Sequence, residues 1–109
     1  MSLTREVAER LIAITSVDCK VTNVLLDIDG NTCAVGAIAQ AAGVPIMPGQ
    51  GVLTHHQKWL VEQEFPGLNE VALHAIMCAN DIEGYPRLYE DVLTPRRRRV
   101  EAVIWGLVE

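Results

Sequence analysis

Aromatic residues are scarce, with two Trp, two Tyr and one Phe in 109 residues. A core built on stacked rings is excluded. Because 50% of the residues are nonetheless apolar, the interior must be aliphatic and rich in alanine, a composition that favours close helix packing. Positive charge is also in short supply: nine Lys and Arg stand against fourteen Asp and Glu, for a formal net charge of −5. Such a field repels phosphate backbones, so nucleic acid is not the expected partner. No apolar run approaches the ~18 residues that span a bilayer, and Arg5, Glu6, Glu9 and Arg10 interrupt the N-terminus where a signal peptide needs an apolar stretch. A cytoplasmic protein without a membrane partner is expected. Cys19, Cys33 and Cys78 are odd in number and form no C-x-x-C pair, which suits reduced thiols better than a disulfide framework or a zinc ribbon.

What is present is mostly helical periodicity. From Thr4 to Thr15, the residues Val7, Ala8, Leu11, Ile12 and Ala13 recur at helical spacing opposite a charged side. Residues 21–28 are β-branched and aliphatic and close on Asp29-Gly30, which predicts a short extended segment or hairpin. Asn31 and Thr32 can each cap a second helix, expected over Thr32 to Ala42 and stopped by Gly43 and Pro45. The segment 44–52, VPIMPGQGV, holds two prolines and two glycines and reads as a loop. Thr54 caps a helix from His55 to Glu64, which Phe65-Pro66-Gly67 ends. Asn69 starts another, running to Asn80-Asp81 with Val71, Ala72, Ala75, Ile76 and Ala79 as its inner face. Pro86 opens a short helix to Leu93, and Thr94-Pro95 opens a last one to Leu107 with Val100, Val103, Ile104, Leu107 and Val108 inward. At this length the chain fits one domain. The expected fold is mostly α, a compact single domain of about five helices with one short extended segment or β-hairpin before the second.

Residues 24–32, VLLDIDGNT, invite a phosphatase reading, since Asp27 and Asp29 stand as a nucleophile and an acid/base would after a buried strand. The reading fails on Asn31, which occupies the position where such enzymes need Thr, and on the lack of further βα units. A calcium loop counted from Asp27 fails too, with Thr32 where Gly is required and Ile38 where a bidentate Glu belongs. No cofactor is expected.

The stretch Asp29-Gly30-Asn31-Thr32-Cys33-Ala34-Val35-Gly36-Ala37-Ile38, with Ile76-Met77-Cys78-Ala79-Asn80-Asp81 downstream, resembles a family of small uncharacterised actinobacterial and bacteriophage proteins. Its members pair a C-A-[aliphatic]-G-A helix start with a later I-x-x-W-N-D segment and a final helix. The resemblance covers residues 29–108, with Ala79 where the family has Trp. It implies a small cytosolic protein encoded by a phage or mobile element, and it implies no activity.

Three groups of residues could carry chemistry. Cys33, in the first turn of a helix, sits near unpaired N–H groups that favour a thiolate. His74 would serve as base and Asn80 or Asp81 would orient it, the catalytic set of a cysteine-dependent hydrolase or transferase being Cys33, His74 and Asp81. Alternatively, Cys33 packs beside the small residues Ala34, Gly36 and Ala37 as a core thiol. His74 and Cys78 lie one helical turn apart and could ligate a metal with Cys33 or the His55-His56 pair, yet only two ligands are properly spaced, so no metal is assigned. The preferred role for Asn80-Asp81 is a helix end whose side chains bond nearby backbone N–H groups and fix the following turn. Arg96, Arg97, Arg98 and Arg99 place four cations in the first turn of a helix, where the dipole disfavours them. They either meet an anionic partner or pair internally with Glu90, Asp91, Glu101 or the Asp27/Asp29 turn. The favoured expectation is a non-catalytic accessory protein that binds a host or self partner. Its contacts would come from Asn80, Asp81, Tyr85 and Arg96 to Arg99, and the last helix, flanked by Trp105, would offer a homodimer seam.

Overall fold

The computed structural model describes residues 3–16, 24–81 and 96–108, and within them the chain folds as five helices around one aliphatic core. Helix α1 spans Arg5–Thr15, and Thr4 caps it by accepting the Val7 N–H on Oγ1 at 3.2 Å. Its buried stripe is Val7, Ala8, Leu11 and Thr15, as the spacing predicts, with Thr15 returning its hydroxyl to the Leu11 carbonyl at 2.9 Å. Before the helix, Leu3 forms a parallel bridge with Val108 and donates its N–H to the Leu107 carbonyl at 3.0 Å, so the two chain ends lie side by side.

Of the extended segment expected before the second helix, the described residues hold one antiparallel bridge, Leu26 to Thr32, and residues 17–23 lie outside the described residues. The D-x-D-G turn between the bridge residues holds itself. Asp27 Oδ1 accepts the backbone N–H groups of Asp29 and Asn31 at 3.0 and 2.8 Å, and Asn31 Nδ2 donates to Oδ2 at 3.2 Å. With Asn31 tied to Asp27 and Thr32 in the bridge, neither caps the next helix. Helix α2 is Ala34–Ala41, and its N-cap is Cys33, whose Sγ accepts the Gly36 N–H at 3.3 Å. The expected stop holds. Gly43, at a φ of 75°, donates to the Gln40 carbonyl while Val44 donates to Ala39, the paired bonds that close a helix on a left-handed residue.

The proline-rich loop then runs back along the Asp27 turn, with Leu25 donating to the Gln50 carbonyl at 2.7 Å and Gly49 to Leu26 at 2.8 Å. Helix α3, His55–Glu64, starts with a capping box in which Thr54 and Gln57 satisfy each other's backbone N–H groups. Gln57 Nε2 also reaches the Pro45 carbonyl at 2.9 Å, which ties the loop to the helix. Arg10 crosses from α1 to the far end of α3, pairing with Glu64 at 2.8 Å and lying 4.6 Å over the Phe65 ring.

Helix α4, Glu70–Asp81, begins where Asn69 Oδ1 accepts the Ala72 N–H at 2.9 Å. Its inner face is rotated from the expected one: Ala72, Leu73, Ile76, Ala79 and Asn80 are buried, while Val71 is 76% exposed. The physical reason is that α4 is covered on two sides, by α5 and by α2, so Leu73 and Asn80 turn inward and Val71 is left outside. Helix α5, Arg96–Gly106, packs chiefly on α4 and α1 through Val100 and Ile104. Val103, Leu107 and Val108 are only partly buried, and Trp105 stays at the outer flank. The short helix expected over 86–93 lies outside the described residues, as do Cys19 and Tyr85.

Candidate functional site

Two polar regions stand out from this scaffold, and they differ in access. One is interior, where the C-terminus of α4 meets the N-termini of α2 and α5. Asn80, 1% exposed, accepts the Ala34 N–H on Oδ1 at 3.0 Å, which satisfies a helix-start donor that has no intrahelical acceptor. Its Nδ2 donates to Asp81 Oδ1 at 2.7 Å. Arg99, 4% exposed, donates from Nε to the Ala79 carbonyl at 2.9 Å, one of the last-turn carbonyls that α4 cannot satisfy itself. A cation in the first turn of α5 is unfavourable toward its own helix but favourable toward the negative end of α4, and the geometry lets the second effect prevail. Cys33 belongs to the same junction and is 3% exposed within the hydrophobic cluster.

This arrangement corrects the picture of Asn80 and Arg99 as surface contacts for a partner. Both are interior and hold three helix ends together. Asn80 fixes the start of a helix 46 positions away in sequence, and the turn that follows it lies outside the described residues. Arg97 and Arg98 are exposed and remain open to a partner, whereas Tyr85 and the Arg96 side chain are outside the described residues. Of the catalytic set, Cys33 is in the core, Asp81 is half-buried and bonded to Asn80, and His74 is exposed with its Nε2 3.4 Å from Cys78 Sγ. Among the described residues no three of His, Cys, Asp and Glu are grouped to hold a metal ion. Asp27 is occupied by its own turn, whose N–H groups, that of Asn31 foremost, hold its carboxyl below the usual range.

The other polar region is open. A cavity of about 400 Å³ lies among α2, α3, α4 and the loop before α3, walled by Val35, Leu53, Leu73 and Met77 and flanked by Val52 and Val71. Its polar edge is Lys58, Glu70 and His74. Lys58 Nζ donates to Glu70 Oε1 at 2.7 Å, and His55 Nδ1 stands 3.7 Å from the same oxygen. The Lys58 hydrogen bond, then its charge, lowers the Glu70 carboxyl below the ordinary range. Sequence reasoning passed over this cavity. Lys58 and Glu70 lie on different helices, so no periodicity within either one relates them, and Val71 reads as a core residue until the packing of α4 is known.

Comparison of the chain with protein-family models, with curated proteins and with solved structures returned no match. Among the described residues no helix is long and apolar enough to cross a membrane.

Proposed function

We propose that this is a small non-catalytic interaction protein and that the open cavity among α2, α3 and α4 receives an apolar side chain of a partner protein. One observation carries the reading: the walls are aliphatic, while the two charged groups at the edge, Lys58 and Glu70, are already paired with each other at 2.7 Å. A site whose charges neutralise each other recognises its occupant by apolar contact, and about 400 Å³ suits a single large anchor of the kind that dominates protein interfaces. Val52 and Val71, 64% and 76% exposed, extend the apolar surface outward. The resemblance over residues 29–108 supports a cytosolic setting in a phage or mobile element. Arg97 and Arg98, exposed on α5, supply a second contact for an acidic partner surface.

The test uses anilinonaphthalene sulfonate as a stand-in for the apolar anchor, with the Met77 methyl followed by NMR. Saturable binding that shifts Met77 and weakens at least about tenfold in Val71→Asp supports the reading. Absence of saturable binding, or binding that Val71→Asp leaves unchanged, refutes it. Sedimentation of the same samples distinguishes a second copy of the chain from a different partner.

A further inference from the structure

We propose that Cys78, with His74 as its base, is a site of thiol-disulfide exchange with small organic disulfides. The two residues are one turn apart on α4, and Cys78 Sγ lies 3.4 Å from His74 Nε2, within reach for proton transfer. His74 is exposed and Cys78 half-buried, so an incoming disulfide can reach the pair, unlike Cys33 in the core. The last turn of a helix opposes a thiolate, but at α4 the Arg99 guanidinium on the Ala79 carbonyl offsets that negative end. His74 and Met77 also line the open cavity, which gives the organic half of the disulfide an apolar seat beside the imidazole that meets the sulfur.

In the step, the Cys78 proton passes to His74 Nε2 and the thiolate attacks one sulfur of the small disulfide. A protein-bound mixed disulfide forms as the original S–S bond breaks, and the other half leaves as a thiolate that takes up the proton. One disulfide is consumed and one is made, so no outside oxidant enters. The preference for an apolar half rests on the reading of the cavity above, whereas the exchange itself does not.

The experiment follows mixed-disulfide formation on each cysteine peptide by mass spectrometry at pH 7. Reduced protein is treated with glutathione disulfide or with dithiodipyridine, and each rate is divided by that of an unfolded peptide of the same segment. Cys78 is expected to react about threefold faster than its peptide, because the larger thiolate fraction that His74 supports is partly offset by the lower nucleophilicity of a more acidic thiol. His74→Ala should remove that gain, and added imidazole should restore part of it. An enhancement over the peptide that is no larger for dithiodipyridine than for glutathione disulfide refutes the apolar seat and leaves the exchange standing, which separates failure of the cavity from failure of the site. Reaction of Cys78 at the peptide rate, or a rate that His74→Ala does not change, overturns the proposal, as does a loss that imidazole does not touch.

Discussion

Gly36→Ala should be among the most damaging single-methyl additions in this protein, although alanine is the better helix former by about 1 kcal/mol. A Cβ at position 36 would lie 2.0 Å from the Leu25 carbonyl oxygen, 2.9 Å from its carbon and 3.2 Å from Thr32 Cβ. Relief to the 3.0 Å that real Cβ atoms keep demands a shift of at least 1.0 Å, the difference between 3.0 and 2.0 Å. The obstacle is backbone and is anchored twice: the Leu25 carbonyl accepts the Cys33 N–H at 3.3 Å, and the Leu25 N–H donates to Gln50 at 2.7 Å. Overpacking costs about 1–3 kcal/mol and each strained hydrogen bond about 1 more, so after the gain in propensity the net loss is about 2–4 kcal/mol. For a domain of this size that lowers Tm by roughly 10–20 °C. Urea and thermal unfolding followed by far-UV circular dichroism measure it. Gly106→Ala, where no atom lies within 4 Å of the added carbon, is the control and should be neutral or slightly stabilising. A Gly36→Ala protein as stable as the parent would show that α2 does not press on Leu25, and the argument for this close approach would fall.

Asn80→Ala should cost about 2–3 kcal/mol, because it leaves the Ala34 N–H at the start of α2 without its acceptor and opens a small void; hydrogen exchange should show Ala34 losing protection, and retained protection would count against the assignment. The carboxyl of Asp27, held low by the N–H groups of its turn, contributes stability above the unfolded-state value that is lost as pH falls through the lower folded-state value. A carboxyl NMR titration should therefore place its midpoint below 3.8, and Asn31→Ala should raise it.

The expected helices form because their local signals agree with their packing. Thr4 and Thr54 cap as such residues do, Gly43 stops α2, and the apolar stripe of α1 is the one its spacing specifies. The errors fall where a side chain had two local uses. Asn31 and Thr32 look like caps, but the Asp27 carboxylate and the Leu26 bridge engage them, and the cap passes to Cys33. The candidate site was less legible. Cys33 stands at a helix start as its place in the sequence implies, yet its exposure depends on what covers α2, and the four-residue spacing of His74 and Cys78 puts them on one helical face, where their side chains stand 3.4 Å apart.

The sequence by itself determined the helical class, the helix starts at Thr4, Thr54 and Asn69, the stops at Gly43 and Glu64 and the aliphatic character of the core, since capping chemistry and 3.6-residue periodicity act within a few residues. Tertiary structure alone decided which side of α4 is inside, why Arg99 is buried in the first turn of α5, and where an apolar cavity opens beside the His74 imidazole. Each of these depends on groups from different helices meeting, as the Ala79 carbonyl meets Arg99 and Glu70 meets Lys58. A helix end lacking partners states only that a partner is needed, and the packing of the whole chain supplies which one.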